Sequence, residues 1–314
     1  MDKIKSILKE HYDIDISTIL EQQPGWAALA YKLDNDRNSY FLKVYEKSRA
    51  STAKWTALID VYMPILEWLM HNSGLKGKVP VPLITKNGDY KYEDPDGIYL
   101  LFEFIDGQTI GDQELMEEQI IQFSEIIAEL HLFGEEIPIG TDAIREDFHV
   151  PYLQLIRNLF DKEYRNLSND IKEVIKPYIE PLSLLVDQVE KLAILLKNSN
   201  LKMVLCHTDI HNWNLMQHKK HLILIDWEGL KLAPIEADMI FFIDKPFYQK
   251  FLSIYQKAHK DFVINLDTLQ FYKGRRKLED IWECIEELLF DQQDAKERAN
   301  TLDILIQELK NISN

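Results

Sequence analysis

A group of polar side chains lies in and beyond a loop between two short apolar runs, about two-thirds of the way along the chain. They begin with His207 and Asp209, continue to Asn214 and, after a second apolar run, end with Asp226. Each apolar run is too short for a helix, so we expect two strands that bracket a polar loop. A carboxylate in a loop can accept a proton, while an amide oxygen and a second carboxylate can bind a hard cation such as Mg²⁺. The pattern predicts acid–base chemistry beside a metal site.

The two apolar runs predict a hairpin that brings these side chains together. If residues 215–217 pair with residues 222–225 around a three-residue turn, Asn214 lies directly opposite Asp226. The Cβ atoms of opposed residues are roughly 4.5–5.5 Å apart, which is close enough for both side chains to share one cation. Asp209 shortly precedes Asn214 and can address the same point. We therefore predict Asn214 and Asp226 as metal ligands and Asp209 as the catalytic carboxylate.

Composition indicates a folded globular protein and disfavours several classes of partner. Of 314 residues, 46% are hydrophobic and 11% aromatic, and such a chain is long enough for two lobes. The formal net charge is −16, with 52 acidic and 36 basic residues. This balance opposes binding to nucleic acid, whose affinity depends on neutralisation of phosphates by Lys and Arg. It favours the approach of cationic small molecules, by an attraction that salt confines to about 8 Å.

The sequence also carries information on location. No stretch approaches the ~18 apolar residues of a membrane-spanning helix, and the first residues lead into an amphipathic segment that does not resemble a signal peptide. The cysteines, Cys206 and Cys284, have no metal-site spacing and fit a reducing compartment. We expect a cytoplasmic protein without membrane partners, and the sequence leaves its oligomeric state open.

Hydrophobic periodicity predicts strands in the N-terminal part and helices in the C-terminal part, an α+β fold. Predicted strands lie between residues 19 and 47, with turns at Pro24-Gly25 and 34–38, and over 98–105. Predicted helices span 2–12, 51–72, 113–133, 151–165, 170–198 and the C-terminal segment that contains residues 302–312. Pro64 is expected to break or kink the second of these helices, or to start a new one.

The loop pattern His-x-Asp-x-His-x-x-Asn, followed after a strand by Ile-Asp-Trp-Glu, resembles that of the aminoglycoside phosphotransferase and choline kinase family. Four local runs further resemble the spectinomycin phosphotransferase subgroup: 145–148, 203–211, 229–234 and 271–280. The resemblance implies a bilobal, protein-kinase-like fold. Its nucleotide-binding lobe, with an antiparallel sheet, would span residues 1–105, and its mainly helical catalytic and substrate-binding lobe residues 106–314.

The resemblance also implies roles for residues outside the loop. Lys43, on the third predicted strand, would contact the α- and β-phosphates of the nucleotide. The carbonyl of Glu103 and the amide of Ile105 would bind adenine. The family pairs its lysine with a glutamate on a helix, and here Asp60 and Glu67 are candidates, although neither fits well. No Gly-x-Gly-x-x-Gly motif precedes Lys43, and only Gly25 is available there.

The implied activity is ATP- or GTP-dependent, Mg²⁺-requiring transfer of phosphate to a hydroxyl of a small, cationic molecule. An aminocyclitol or aminoglycoside antibiotic such as spectinomycin is the leading expectation, with resistance as the consequence. Four carboxylates could line the substrate's side of the cleft: Glu228, Asp244, Glu279 and Asp280. A metabolite kinase for choline, a sugar or an amino alcohol is the alternative, and an inactive nucleotide-binding scaffold is the third possibility. The family also uses an Asp, here Asp238, to brace the catalytic loop.

Overall fold

The computed structural model of the protein describes residues 1–22, 25 and 27–312. Its strands are β1 (Thr18–Glu21), β2 (Leu29–Asp34), β3 (Ser39–Glu46), β4 (Tyr92–Glu93), β5 (Gly97–Glu103), β6 (Gln108–Thr109), β7 (Val204–Cys206), β8 (Leu215–His218), β9 (His221–Leu224) and β10 (Lys231–Ala233). Its helices are α1 (Asp2–Tyr12), α2 (Thr52–Thr56), α3 (Ile59–Asn72), α4 (Glu117–Leu130), α5 (Pro151–Asn158), α6 (Asn169–Ile175), α7 (Ile179–Lys197), α8 (Glu236–Met239), α9 (Tyr248–Ala258), α10 (Leu266–Phe290) and α11 (Ala295–Lys310). Strands dominate the N-terminal part and helices the C-terminal part, so the predicted fold class is confirmed.

The chain forms two compact units. The first contains Met1–Ser48, Thr52–Arg145 and Met203–Phe262, and the second contains Arg49–Ser51, Glu146–Lys202 and Val263–Asn314. The first unit therefore holds both the N-terminal sheet and the catalytic-loop pattern. A functional division at residue 105 stays a prediction. Within the described residues, no helix is both long and apolar enough to cross a membrane.

An antiparallel sheet forms the N-terminal part of the first unit, in the order β1-β2-β3-β5-β4 among the described residues. The central strand β3 shows why the alternating sequence folds this way. Leu42 and Val44 face a core that includes Leu8 of α1, while Lys43 and Tyr45 lie on the opposite face. The turn before β3 forms at 34–38, as predicted. The turn predicted at Pro24-Gly25 includes Pro24, which lies outside the described residues.

The predicted helix over residues 51–72 is interrupted, but not at the proline. The chain leaves the helix after Thr56, and α3 then runs without a break through Pro64. The missing amide of Pro64 affects the carbonyl of Asp60, in the first turn of α3. Side chains on either side of Pro64 in α3, such as Ile59 and Leu69, are fully buried, and each stabilises the helix by about 1.5–3 kcal/mol. Together they outweigh the ~3 kcal/mol that an internal proline costs.

The second unit is helical, with α10 packed against α5, α7 and α11. Two predicted helices change their hydrogen-bond pattern along their length. The helix predicted over 151–165 begins as α5 and continues as a π-helix over Leu159–Glu163 and a 3-10 helix over Tyr164–Asn166. The helix predicted over 170–198 is divided into α6 and α7 by a 3-10 turn that contains Pro177.

A buried ion pair links two distant segments of the second unit. The Glu146 carboxylate is fully buried and lies 2.6 Å from the Arg275 guanidinium. It also accepts hydrogen bonds from the Tyr272 hydroxyl at 3.3 Å and from the backbone amide of Phe148 at 2.8 Å. Burial lowers the pKa of Arg275, but the charge of Glu146 outweighs it, so that pKa is raised above its ordinary value. The Arg275 guanidinium therefore stays charged in the folded protein.

We predict that Glu146→Gln lowers the free energy of unfolding by about 3–5 kcal/mol, because the Arg275 charge would remain buried without its partner. Denaturant unfolding followed by circular dichroism measures this loss. Glu190→Gln is the matched control, because Glu190 pairs with Arg157 at the surface, at 2.8 Å and with 44% of the Glu190 side chain exposed. An exposed pair contributes only about 0–1 kcal/mol. Equal losses in the two variants would contradict the prediction.

Candidate functional site

The hairpin of β8 and β9 positions the predicted metal ligands, in a register one residue away from the predicted one. Leu215 pairs with Leu224, and His218 with His221, so the turn has two residues and not three. Its first residue, Lys219, has a φ of 53°. Asn214 therefore lies opposite Ile225, whose amide donates to the Asn214 carbonyl at 2.9 Å. The predicted direct pairing of Asn214 with Asp226 is wrong.

The backbone at Asp226 offsets this shift. A shift of one residue would move a strand side chain to the opposite face of the sheet. Asp226 instead has left-handed angles, with φ 63° and ψ 67°, so the strand's alternation ends at Ile225. Its carboxylate accepts a hydrogen bond from the Lys43 Nζ at 2.9 Å, and 43% of the side chain is exposed. The left-handed conformation is what turns Asp226 toward the lysine of β3.

Asn214 is bound directly to Asp209. The Asn214 Nδ2 donates to the Asp209 backbone carbonyl at 2.8 Å and to the Asp209 Oδ2 at 2.9 Å. The other amide atom, Oδ1, accepts no hydrogen bond from the described residues. It thus remains available for a cation, as a hard oxygen ligand of the type that Mg²⁺ binds. The His211 Nε2 lies 3.4 Å from the same Asp209 oxygen.

His207 joins the loop to the end of β9. The ring is fully buried; its Nε2 lies 2.9 Å from the Ile225 carbonyl, and its Nδ1 accepts from the Asp209 amide at 3.3 Å. These partners require the proton on Nε2. The imidazole therefore ties Asp209 to the residue that precedes Asp226, a structural role that leaves neither nitrogen for catalysis.

Asp238 braces the same loop, as predicted. Its buried carboxylate accepts from the backbone amides of His207 at 3.1 Å and Thr208 at 2.6 Å, and it lies 2.9 Å from the Nε2 of buried His131. Thr208 has a φ of 66°, which is unfavourable for a β-branched residue. The hydrogen bonds to Asp238 hold this strained conformation in place.

A close backbone approach also holds the loop. The Thr208 hydroxyl donates to the Gly229 carbonyl at 2.6 Å. A Cβ at position 229 would lie 2.6 Å from the Thr208 Oγ1 and 3.0 Å from the His207 carbonyl. Only glycine fits at position 229.

Lys43 has acidic partners other than the predicted ones. Asp60 pairs with Lys91 at 2.7 Å, and Glu67 accepts a hydrogen bond from Tyr90. Neither pairs with Lys43 in this structure, so both candidates are wrong.

The partners of Lys43 are Asp226, at 2.9 Å, and Glu228. Glu228, predicted to line the substrate's side of the cleft, is bound to Lys43 and to the Tyr45 hydroxyl, with only 11% of its side chain exposed. Its contact with a substrate stays a prediction.

The charges in this cluster stabilise one another. Burial alone would lower the pKa of Lys43, but the carboxylates of Asp226 and Glu228 together raise it well above its ordinary value. Burial would likewise raise the pKa of Glu228, and the nearby Lys43 charge with its hydrogen bond lowers it. Lys43 and Glu228 are thus both charged, and their ion pair is formed at neutral pH.

The other predicted site residues lie in both units. Glu103 is the last residue of β5, and Ile105 follows in the segment that leads to β6. Their contact with adenine stays a prediction. In the same segment Gly107 passes so close to β8 that a Cβ would lie 2.6 Å from the Gln217 carbonyl. Asp244 is exposed in the first unit, after α8.

Glu279 and Asp280 lie on α10 in the second unit. Glu279 accepts from the Tyr152 hydroxyl at 2.8 Å, and Asp280 lies 2.7 Å from the Arg276 Nε. Burial raises the pKa of Asp280 to about 7, against the lowering effect of Arg276. Their contact with a substrate stays a prediction.

This pKa predicts that Asp280 makes stability depend on pH. Its folded value of about 7 exceeds the ordinary value near 4, so the folded state binds more protons and loses stability as the pH rises through this interval. Asp280→Asn removes the loss. Its Tm, relative to the native protein, should be a few degrees higher at pH 8 than at pH 5, since about 2–4 °C corresponds to 1 kcal/mol. Exposed Asp303 on α11 provides the control, Asp303→Asn; the same gain at both pH values contradicts the prediction.

The sequence patterns did not predict the contacts that hold the loop and the lysine cluster in place. His131 and Tyr255 form a buried hydrogen bond of 2.9 Å behind Asp238, and Tyr45 binds Glu228. The alternation of β3 does place Tyr45 on the face of Lys43, which is a usable signal. Nothing local in the sequence connects His131 with residues more than a hundred positions away.

Comparisons with known proteins identify solved structures with a similar fold. Spectinomycin phosphotransferase APH(9)-Ia, in a complex with ADP and spectinomycin, superposes with a TM-score of 0.77 at 22% identity, over 99% of this chain and 98% of that one. Choline kinase LicA from Streptococcus pneumoniae gives 0.63 at 13% identity, over 99% and 98%. A microcompartment-associated aminopropanol kinase gives 0.63 at 11% identity, over 99% and 96%.

These likenesses show a common protein-kinase-like fold. No curated protein sequence matches the chain. The sequence model of the phosphotransferase enzyme family matches residues 18–272, which include the sheet, the catalytic loop and the hairpin with Asp226. The chain therefore belongs to the phosphotransferase enzyme family.

Proposed function

We propose that the protein transfers the γ-phosphate of ATP to a hydroxyl group of a small cationic molecule, with an aminocyclitol or aminoglycoside such as spectinomycin as the first candidate. The observation that carries this proposal is the connection through His207, which ties Asp209 to the residue before Asp226. The proposed proton acceptor, Asp209, and the proposed metal ligand, Asp226, are thereby linked within one unit. Phosphoryl transfer requires mainly such positioning together with neutralisation of charge.

The donor atoms at this site fit a magnesium ion. Asn214 has a carbonyl oxygen without a partner among the described residues, and Asp226 is half-exposed at the adjoining strand end. Mg²⁺ takes hard oxygen ligands and keeps several positions for phosphates and water. When bound, the ion would supply positive charge to the nucleotide phosphates. Asn214 and Asp226 would hold it, and Lys43 would neutralise the phosphates from β3.

Asp209 would act on the acceptor. The acceptor's hydroxyl oxygen forms a bond to the γ-phosphorus, while the bond from that phosphorus to the bridging oxygen breaks and its electron pair leaves with ADP. The hydroxyl proton passes to Asp209. The hydrogen bond from Asn214 orients the carboxylate for this step.

A cationic acceptor is supported by the charge of the chain. The net charge of −16 attracts cations and repels anions over the range that salt permits. A second candidate, an amino-alcohol kinase, is supported by the fold shared over 99% of the chain with a choline kinase and an aminopropanol kinase. Both candidates involve hydroxyl groups on positively charged molecules. We also propose a cytoplasmic location for the enzyme with either acceptor. Antibiotic resistance would be the biological outcome if the acceptor is spectinomycin or an aminoglycoside.

ADP release measured with a panel of acceptors tests the proposal. Spectinomycin, aminoglycosides, choline, aminopropanol and neutral sugars are supplied with Mg·ATP, and each reaction is repeated with excess EDTA. Release that depends on spectinomycin or an aminoglycoside supports the first candidate, and release that depends on choline or aminopropanol supports the second. A preference for neutral sugars would contradict a cationic acceptor. Nucleotide binding without release for any acceptor would favour the inactive scaffold.

A further inference from the structure

The helix that carries a glutamate in protein kinases presents no carboxylate to Lys43 here. Its two acidic candidates, Asp60 and Glu67, are bound elsewhere. α3 contacts the turn Trp227–Gly229 and carries the buried Tyr62. Tyr62 is 1% exposed, and its hydroxyl has no hydrogen-bond partner among the described residues. Burial, and next the charge of Glu228, raise the pKa of Tyr62 well above its ordinary value, so the hydroxyl keeps its proton.

Two side chains of β3 bind the same oxygen of Glu228. Lys43 and Tyr45 share a face of the strand, and the Lys43 Nζ and the Tyr45 hydroxyl both donate to Glu228 Oε1. Tyr45 is fully buried, so its hydroxyl has no water to replace this acceptor. The tyrosine therefore fixes the carboxylate against which the lysine is held.

The two carboxylates bound to Lys43 differ in exposure. The Asp226 side chain is 43% exposed, whereas that of Glu228 is 11% exposed. Asp226 can exchange the lysine for a metal ion at little cost, because water reaches it. Separation of Lys43 from Glu228 would leave a buried charge unpaired, which is strongly unfavourable. The Lys43–Glu228 pair is therefore the one that persists when a nucleotide binds.

We propose that Glu228 positions Lys43 for the nucleotide phosphates, and that the hydroxyl of Tyr45 positions Glu228. Glu228 takes the place of the helix glutamate, while Asp226 stays half-exposed. This division leaves one carboxylate for the lysine and one, Asp226, for the metal. The inference rests on the proposed function, in which Lys43 binds the nucleotide.

The affinity for ADP in the presence of Mg²⁺, measured by calorimetry, tests these positioning roles without any acceptor. We expect Tyr45→Phe to weaken binding about 10-fold, as for loss of one hydrogen bond to a charged group, and Glu228→Gln to weaken it more. Because Tyr45 acts through Glu228, the double variant should bind no more weakly than Glu228→Gln alone. In steady-state assays the KM for ATP should rise while the KM for the acceptor stays unchanged. Tyr40→Phe, on the other face of β3, is the matched control, and we expect it to bind ADP like the native protein.

Tyr62→Phe separates positioning from packing. The hydroxyl has no partner to lose, so the variant should be at least as stable as the native protein. We expect it to bind Mg·ADP like the native protein, because the Tyr62 hydroxyl makes no hydrogen bond to Glu228. Thermal unfolding of all variants is measured alongside.

Several outcomes would overturn the inference. These are native affinity in Glu228→Gln, additive losses in the double variant, or a Tyr62→Phe variant that loses as much affinity as Tyr45→Phe. Each of them leaves the proposed function intact. Failure of the native protein itself to bind any nucleotide would instead contradict the proposed function, so the two failures are distinguishable.

Discussion

Asp209→Asn is expected to reduce phosphate transfer by about 10²–10⁴-fold, the range that a positioned general base contributes. The amide cannot take up the proton of the acceptor hydroxyl. It can still accept the hydrogen bond from the Asn214 Nδ2, at present 2.9 Å, so the loop should keep its conformation. The affinity for Mg·ADP should change little, because Asp209 is not among the proposed metal ligands. Measurement of kcat with the best acceptor, together with the Kd for ADP, checks both expectations.

The control for this variant is Asp36→Asn, in the exposed turn between β2 and β3 of the same unit. It removes one negative charge and leaves the catalytic loop unaltered, so its kcat should equal that of the native protein. Native turnover in Asp209→Asn would contradict the catalytic assignment. A loss of kcat with an equal loss of ADP affinity would instead place Asp209 among the nucleotide ligands.

Asp226→Asn should abolish the gain in nucleotide affinity that Mg²⁺ provides. The carboxylate is the charged member of the proposed pair of metal ligands, and an amide binds a hard cation much less well. Lys43 would retain Glu228 as its partner, so the cluster on β3 should remain folded. The Kd for ADP, measured with Mg²⁺ and with EDTA, gives the comparison. We expect a large difference in the native protein and almost none in the variant.

Asp244→Asn is the control for this second variant, since Asp244 is an exposed carboxylate of the same unit. It should keep the full effect of Mg²⁺ on ADP affinity. If Asp226→Asn also keeps that effect, Asp226 is not a metal ligand. Glu228 would then be the remaining carboxylate next to Lys43, and the roles of the two acids would be exchanged.

The sequence predicted the fold class correctly, but not the register of the hairpin formed by β8 and β9. A two-residue turn of Lys219 and Lys220 contains neither glycine nor asparagine, which are the usual signals of such turns. The left-handed angles of Asp226 have no local signal either, since aspartate is compatible with many conformations. The contact of Asp226 with Lys43 depends on this backbone conformation, so strand alternation cannot predict it.

The sequence runs that pointed to the subgroup have a structural explanation in part. Glu146 belongs to the run 145–148 and Arg275 to the run 271–280, and the two side chains form the buried pair of the second unit. Phe148 and Phe271, from the same runs, have ring centroids 5.4 Å apart. These residues maintain packing. Resemblance in such runs therefore supports a common architecture more directly than a common acceptor.

The pairing of Lys43 with Glu228 could not be predicted from local sequence patterns. The two residues are 185 positions apart, and their contact depends on how the turn after β9 meets β3. Pro64 likewise does not break α3. The burial of the side chains that stabilise this helix could not be judged from the sequence of the helix alone. Tertiary packing decided both cases.

The amides of His207 and Thr208 donate to a side-chain carboxylate, that of Asp238, and not to a neighbouring strand. Exchange of these two hydrogens with solvent therefore requires the loop to break its hydrogen bonds to Asp238, whose carboxylate is inaccessible to water. Their exchange rates report the opening free energy of the catalytic loop itself. Amide exchange measured at these two positions would thus show how rigidly Asp209 is held. The measurement needs no knowledge of the acceptor.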